Sequence, residues 1–201
     1  MFTDRFARRT ANRYRRRGLD RTARRMVELI QRDRLAGATV LEIGGGVGDI
    51  QVELLRRGAA RATNLELSPA YEAQAQRLLA DAGLIGRVDR RIVDIAATPD
   101  EVEPADVVVL HRVVCCYPDY AKLLGAVAHH ARRQVVFSHP PRNPVVRAII
   151  GMQNVFFRLS GSEFRVFAHP PGAMLGVLSE HGLTPTKVKA AFGWQIAAAT
   201  R

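Results

Sequence analysis

A glycine-rich stretch, Val40-Leu41-Glu42-Ile43-Gly44-Gly45-Gly46-Val47-Gly48-Asp49, separates an apolar run from a helical pattern. The run from Thr39 to Ile43 is rich in β-branched and apolar residues, which indicates a buried strand. After the glycines, Ile50, Leu54 and Leu55 recur at helical spacing. A strand, a glycine turn and a helix open the nucleotide site of a doubly wound α/β sheet, because only a residue without Cβ lets the backbone turn sharply and lie against a ligand.

The spacing of the glycines separates two classes of nucleotide. A dinucleotide fingerprint, G-x-G-x-x-G, would need a third glycine where Asp49 stands. The chain instead has E-x-G-x-G-x-G from Glu42 to Gly48, which resembles the first motif of the class I S-adenosylmethionine-dependent methyltransferases. Their cofactor has no pyrophosphate, so it does not require a helix N-terminus aimed at an anion, and a carboxylate before the turn suits its cationic sulfur. The alternative is a plain strand-to-helix turn.

The resemblance implies a fold and a set of site residues. The expected fold is α/β, a Rossmann-like doubly wound sheet of seven mostly parallel strands with a reversed last edge strand and helices on both faces, in one domain over residues 1–201. S-adenosyl-L-methionine would be the methyl donor and S-adenosyl-L-homocysteine the product, with no metal. The expected cofactor-binding residues are Glu42, Gly44, Gly45, Gly46, Gly48, Glu66, Leu67, Asp94, Ile95 and His111.

Two acidic residues of this set lie near the carboxyl ends of predicted strands. Residues 62–67 have the pattern of a second strand, and Glu66 lies 22 residues beyond Gly44, where an acid usually accepts hydrogen bonds from ribose hydroxyls. A solvated loop charge is the alternative for Glu66. Residues 91–95 have the pattern of a third strand, and Asp94 matches the family's adenine-side acid, with the backbone amide of Ile95 beside it.

Two histidines are candidate catalytic bases. An unbroken apolar run predicts a fourth strand over residues 105–111, which ends in His111, and residues 134–138 predict a fifth strand followed by His139. Ligands bind at the carboxyl ends of the strands in open α/β sheets, and an alcohol or phenol acceptor gains from a base near neutrality. A carboxylate acceptor would need neither histidine.

The charge of the chain raises the possibility of a nucleic-acid partner. The net charge is +11, and residues 1–35 hold twelve arginines against four acidic residues. A solvated helical extension explains this run as well as a binding arm does. Residues 1–35 predict two helices broken at Gly18. The resemblance implies that such leading helices form a cap over the cofactor and the substrate, in which Tyr14 and Arg17 could line the site; simple packing on the domain is the alternative. Pro140 and Pro141 follow the fifth strand rather than the fourth, which argues against a nucleic-acid base as the methyl acceptor.

An apolar insertion follows the fifth strand. Residues 141–170 contain a helix, from about Val145 to Leu159, that is apolar over most of its circumference. Such a helix is a lid over an apolar substrate, a peripheral membrane contact or a homodimer interface. A helix over residues 171–181 and strands over residues 186–191 and 194–200 complete the expected fold.

The leading hypothesis is therefore a methyltransferase that acts on a small, lipophilic molecule, with O-methylation favoured and a loose likeness to the magnesium-protoporphyrin O-methyltransferases. The alternatives are an RNA or protein methyltransferase that uses the arginine-rich arm, and a cofactor-binding protein without turnover. Only two cysteines, Cys115 and Cys116, are present, and neighbouring cysteines rarely bridge. With no apolar leader at the N-terminus, the expected location is cytoplasmic.

Overall fold

The computed structural model describes residues 3–186 and 193–201. Two leading helices are followed by a mixture of strands and helices. In chain order they are α1 (Asp4–Arg17), α2 (Arg21–Gln31), β1 (Thr39–Ile43), α3 (Asp49–Arg56), β2 (Arg61–Leu65), α4 (Glu72–Asp81), β3 (Val88–Arg91), β4 (Ala105–Leu110), α5 (Tyr120–His130), β5 (Ala131–His139), α6 (Pro144–Leu159), α7 (Pro171–Glu180), β6 (Thr184–Thr186) and β7 (Gln195–Thr200).

The described strands form one sheet in the order β3-β2-β1-β4-β5-β7-β6. Strands β1 to β5 are parallel, and β7 is antiparallel to both β5 and β6. The expected doubly wound α/β fold is confirmed. The reversed strand is the last one in the chain, and it lies second from the edge, between β5 and β6. Because the order reverses between β1 and β4, the carboxyl ends of these two strands flank a crevice, the usual ligand position in such a sheet.

Strand β4 explains how the sheet holds two layers of helices. Val107 and Val109 belong to the core cluster under α2, α3 and α4, whereas Val108 and Leu110 belong to the cluster under α5 and α7. All four side chains are fully buried. This alternation is what an unbroken apolar run produces in a parallel strand that is covered on both faces.

The two leading helices pack on the rest of the chain. Helix α1 begins after Thr3, whose hydroxyl caps the amide of Phe6, and ends at Gly18. Helix α2 begins after Asp20, whose carboxylate accepts hydrogen bonds from the amides of Thr22 and Ala23. Because α1 packs against α4 and α2 packs against α3 and β5, the cap lies over the carboxyl ends of the central strands.

The third strand is the clearest error in the predicted boundaries. It was expected over residues 91–95, but β3 spans Val88–Arg91. As an edge strand, β3 has alternating half-buried and exposed residues, so its own apolar signal is weak. The apolar signal belongs to the loop behind it, where Ile95 is buried in the core although it is not in a strand. The strand expected over residues 186–191 falls mostly outside the described residues.

Helix α6 stands apart from the body of the domain. It spans Pro144–Leu159, within the predicted insertion, and none of its residues is fully buried. Among the described residues, no helix is long and apolar enough to cross a membrane.

Candidate active site

A cavity of about 740 Å³ opens at the carboxyl ends of β1, β2 and β4. Its floor is the glycine turn after β1, and its cover is formed by one face of α1 together with Phe164. Four carboxylates and three guanidinium groups lie on walls that are otherwise largely apolar. These charged lining residues are Asp20, Asp49, Glu66, Asp94, Arg9, Arg13 and Arg112.

The glycine turn is held by hydrogen bonds to its backbone. The amide of Gly46 donates to Glu66 Oε2 at 2.8 Å, and the carbonyl of Gly46 accepts from Arg90 Nη2 at 3.0 Å. Gly46 has φ +54, and a Cβ at this position would lie 3.4 Å from the ring of Tyr71. A side chain here would therefore be strained by the left-handed backbone and crowded by Tyr71.

Glu66 lies one residue beyond β2, and its hydrogen bonds link the loop after β2 to the glycine turn after β1. Its Oε1 accepts from the amide of Ser68 at 2.9 Å, and its Oε2 accepts from Gly46. A carboxylate oxygen has two lone pairs, so both oxygens keep acceptor capacity toward the cavity. Glu66 is thus rigidly placed by the main chain and can still bind hydroxyl groups.

Asp94 lies on the loop after β3, across the cavity wall from Glu66. Its Oδ1 accepts from the amide of Ala96 at 3.0 Å, and its Oδ2 accepts from the hydroxyl of Tyr117 at 3.0 Å. Burial and the Asp94 carboxylate raise the pKa of Tyr117 to about 12. Leu67 and Ile95 line the same part of the cavity.

His111 follows β4 directly and faces the cavity between two polar partners. Its Nδ1 lies 2.9 Å from Ser138 Oγ, on β5, and its Nε2 lies 3.4 Å from Asp20 Oδ2. Ser138 Oγ also accepts from the amide of Arg112 at 2.9 Å. The distance from Nε2 to Asp20 is long for a hydrogen bond, whereas Nδ1 is already engaged by Ser138. Nε2 is therefore the ring nitrogen that is available to a ligand hydroxyl.

Asp20 remains ionised beside His111. Its carboxylate pairs with Arg112 Nη2 at 2.9 Å and caps α2. Burial alone would raise the pKa of Asp20, but the adjacent His111 ring, the hydrogen bond from the amide of Ala23 and the charge of Arg112 hold this pKa well below its usual range. An anion is therefore present to stabilise an imidazolium at His111.

Comparisons with known proteins identify the central segment. Residues 40–134 match a family model described as a methyltransferase domain. This segment is therefore similar in sequence to methyltransferase domains. The match spans β1 to β5 and so includes the glycine turn, Glu66, Asp94 and His111. Among curated proteins, none has a sequence that matches.

Solved structures with the same fold include several methyltransferases. The magnesium protoporphyrin IX methyltransferase of Synechocystis, with bound S-adenosylhomocysteine, is 20% identical over 90% of this chain and 82% of its own, with a TM-score of 0.72. An O-methyltransferase family protein of Burkholderia thailandensis is 20% identical over 100% of this chain and 63% of its own, with a TM-score of 0.73. Human N-acetylserotonin methyltransferase in complex with S-adenosylmethionine is 16% identical over 98% of this chain and 55% of its own, with a TM-score of 0.68. The fold is that of the class I methyltransferases.

The cavity fits the cofactor that this fold implies. Asp49 lies in the first turn of α3 and lines the cavity, and burial raises the pKa of its carboxyl. A cationic group placed in the cavity, such as the sulfur of S-adenosylmethionine, would favour the ionised form of the Asp49 carboxyl and so lower its pKa again. Glu66 and Asp94 offer acceptors for hydroxyl and amine groups. The donor and acceptor chemistry of the walls therefore suits the group.

Glu42 and Gly48, two of the expected cofactor-binding residues, are not among the residues that line the cavity. Glu42 Oε2 accepts from the amide of Gln51 at 3.2 Å and from Asn64 Nδ2 at 3.3 Å. Burial, with the nearby charge of Asp49, raises the pKa of Glu42 to about 8. A Cβ at Gly45 would collide with Asn64 and Glu42. Glu42 therefore supports the turn from below, and Gly48 is the N-cap of α3.

His139, the second expected base, is not among the residues that line the cavity. Neighbouring residues of a strand point to opposite faces of the sheet. Ser138 therefore reaches His111. His139 points to the opposite face of the sheet, the same face as Phe137, and the two ring centroids are 5.8 Å apart. Its Nδ1 lies 3.0 Å from the carbonyl of Pro140, and burial lowers its pKa. The alternation of side chains along β5 therefore decides that Ser138, and not His139, faces the cavity.

The cap helix presents a different face to the cavity from the one expected. The cavity is lined by Phe6, Arg9, Thr10 and Arg13, at helical spacing. Tyr14, which was expected at the site, is buried on the other side, where its hydroxyl donates to Glu53 Oε1 at 2.7 Å. Arg17 does not line the cavity either. The hydrophobic side chains of α1 alone could not distinguish its two faces.

Several lining residues have no distinctive sequence signal. Asp20 is predictable as a helix cap, but its contact with His111 depends on packing across 91 residues of chain. Asp49 resembles any acid in a first helical turn, and Tyr117 and Phe164 lie in irregular segments. Of the two cysteines, Cys115 is buried, as expected for structural thiols, whereas Cys116 lines the cavity. Within residues 3–186 and 193–201, no group of three or more His, Cys, Asp or Glu side chains could hold a metal ion.

Proposed function

We propose that the chain transfers a methyl group from S-adenosylmethionine to an oxygen atom of a small, lipophilic molecule. One observation carries the proposal: a single cavity joins the glycine turn, Glu66 and Asp94 to His111, and its remaining walls are largely apolar. Cofactor and acceptor would therefore meet inside one cavity. S-adenosylmethionine supplies an electrophilic methyl group on a cationic sulfur, which is already a good leaving group.

Binding of the cofactor would be the task of the residues at the ends of β1, β2 and β3. Glu66 would accept hydrogen bonds from the ribose hydroxyls, and Asp94 would accept one from the adenine amine. Leu67 and Ile95 would pack on the adenine ring, and Gly44, Gly45 and Gly46 would form the floor. Asp49 and Asp20 would balance the positive charge. All of these residues line the cavity.

Removal of the acceptor's proton would be the task of His111. We assign the neutral tautomer in which Nδ1–H donates to Ser138 Oγ, so Nε2 carries the lone pair that receives the proton. The resulting Nε2–H faces the Asp20 carboxylate, 3.4 Å away, which stabilises the imidazolium. Holding the acceptor oxygen in line with the methyl group is the larger contribution, since orientation can supply ~7–11 kcal/mol of a barrier.

The walls of the cavity favour a small, apolar acceptor. Phe6, Tyr71, Val113, Leu123 and Phe164 give apolar surface, and about 740 Å³ is within the size of small-molecule sites. The named structural neighbours point the same way, since magnesium protoporphyrin IX and N-acetylserotonin are small molecules. Phe164 belongs to the insertion, so the predicted role of residues 141–170 as a lid would be carried by the loop after α6.

The arginine-rich N-terminus offers less support for an RNA or protein substrate. Arg9 and Arg13 line the cavity from the inner side of α1, and Arg15 pairs with Asp81 at 2.9 Å. These side chains contact the rest of the protein, so α1 packs on it and does not form a free arm. A cofactor-binding protein without turnover would not need a histidine that is held between an anion and a hydroxyl.

Methyl transfer from tritiated S-adenosylmethionine tests the proposal. The full chain is incubated with a panel of phenols, alcohols and carboxylic acids, with total RNA and with a protein extract, and the label in each fraction is counted. The proposal expects label in the organic extract, stable to alkali for an ether and released by alkali for an ester. Label confined to the RNA or protein fraction, or tight cofactor binding with no transfer to any fraction, would overturn it.

A further inference from the structure

Helix α6 carries an apolar stripe that is largely exposed to solvent. Its large hydrophobic side chains are more than half exposed, with Met152 at 71%, Phe156 at 67% and Leu159 at 82%. We call the set of six the outer stripe. It consists of Val145, Ile149, Met152, Val155, Phe156 and Leu159.

The outer stripe faces away from the domain because the opposite side of α6 is tied down. Asn154 exchanges two hydrogen bonds with the backbone of Val166, at 2.8 and 2.9 Å. The ring of Phe157 packs edge-on against Phe164, with centroids 5.5 Å apart. At 3.6 residues per turn, Met152 lies roughly 160° around the helix from Asn154. The stripe is therefore held outward by the fold.

The charged residues within α6 and just before it are all arginines. Arg142, Arg147 and Arg158 are exposed, and no Asp or Glu occurs between Tyr120 and Ser162. Arg147 and Arg158 lie on the polar side of α6, roughly 120–140° from the centre of the stripe. An exposed apolar stripe with arginines on the polar side is the pattern of a helix that lies in the interface of an anionic bilayer.

We propose that α6 binds the surface of an anionic phospholipid bilayer, with the outer stripe in the acyl boundary and the arginines at the headgroups. A second copy of the chain is the other apolar partner available, but it would bring another molecule of net charge +11 and the same arginines to the contact. Anionic headgroups complement these charges instead. The inference concerns this surface alone and does not depend on methyl transfer.

Flotation with vesicles tests the proposal on the full chain. Phosphatidylcholine vesicles are compared with vesicles that contain 30% phosphatidylglycerol, at low and high salt. The chain should float with the anionic vesicles, and binding should weaken as salt screens the arginines. The variant Met152→Ser/Phe156→Ser should lower the bound fraction by about tenfold or more, since two large apolar side chains no longer enter the bilayer.

Matched variants separate this surface from general stickiness. Ile85→Ser removes a side chain that is 57% exposed in a turn outside α6, and it should leave vesicle binding unchanged. Arg147→Glu/Arg158→Glu should abolish the preference for anionic vesicles. Equal flotation of the stripe variant and the unmodified chain would overturn the proposal. A mass near twice 22.2 kDa in light scattering that the stripe variant loses, with no vesicle binding, would overturn it in favour of a second copy.

Discussion

The two ends of the cavity are built in different ways. At the end proposed for the cofactor, Glu66 and Asp94 each accept a hydrogen bond from a backbone amide close to the strand end that carries them. At the end proposed for the acceptor, His111 is held by Ser138 and Asp20, and Phe164 enters from a distant loop. The first end is fixed by the sheet, whereas the second depends on the packing of elements laid over the sheet. Changes at the first end should therefore alter cofactor affinity, and changes at the second should alter turnover.

The largest expected effect is at His111. His111→Ala should lower methyl transfer to a hydroxyl acceptor by about 10²–10⁴-fold, the range for loss of a general base. S-adenosylmethionine affinity in calorimetry should change by less than about threefold, which is under 1 kcal/mol. His129→Ala, at an exposed histidine on α5, is the control and should leave both values unchanged. A His111 variant with normal turnover would show that the acceptor end needs no base there.

Gly46→Val should abolish the affinity for S-adenosylmethionine, a loss of about 100-fold or more. The substitution puts a β-branched residue at φ +54, against Tyr71, in the turn that Glu66 and Arg90 hold. Gly86→Val is the matched control, because Gly86 has open space around its Cβ position and no left-handed backbone. Circular dichroism should find both variants folded. Unchanged affinity in the Gly46 variant would contradict the placement of the cofactor on this turn.

Glu66→Ala should weaken cofactor binding by roughly tenfold to a hundredfold. A hydrogen bond to a charged group contributes about 1.5–3 kcal/mol, and each 1.4 kcal/mol is about tenfold. The control is Glu103→Ala, at an exposed glutamate before β4. If calorimetry gave the same affinity for Glu66→Ala as for the control, Glu66 would hold the turn without touching the ligand.

Glu42→Gln should have the smallest effect on binding, within about threefold, because Glu42 lies below the turn and outside the cavity. Its effect should appear in stability. Between pH 4.5 and about 8 only the folded state keeps the proton on Glu42, so the stability of the wild type should fall as pH rises through this window. The slope is at most about 1.4 kcal/mol per pH unit. Urea unfolding at pH 5 and pH 8 should find a smaller loss in the Gln variant, which stays neutral in both states.

The opposite result for Glu42→Gln would be equally informative. A large loss of cofactor affinity with an unchanged pH dependence of unfolding would place the Glu42 carboxylate in contact with the ligand. It would then restore the role that the E-x-G-x-G-x-G motif suggests from the sequence.

The sequence predicted the cofactor end of the cavity better than the acceptor end, for a physical reason. Glycine spacing, strand periodicity and the offset of Glu66 are local patterns, and the parallel sheet converts them directly into neighbouring strand ends. The glycine turn, Glu66 and Asp94 therefore line one cavity. This holds even though β3 ends at Arg91, three residues before Asp94.

The acceptor end is assembled from contacts that local patterns do not encode. The rotation of α1 about its axis decides whether Arg13 or Tyr14 faces the cavity, and that rotation follows from packing against α3 and α4. The register of β5 decides between Ser138 and His139, and a one-residue difference reverses the face. Asp20 meets His111 only because α2 lies over the sheet.

A crystal structure of the full chain with S-adenosylhomocysteine tests the central claim most directly. The account predicts the ligand in the cavity, with its ribose hydroxyls hydrogen-bonded to Glu66, its adenine amine on Asp94 and its sulfur toward His111 and Asp20. A ligand bound elsewhere, or bound in the cavity with its adenine against His111 and its amino-acid end on Asp94, would contradict the assignment of the two ends.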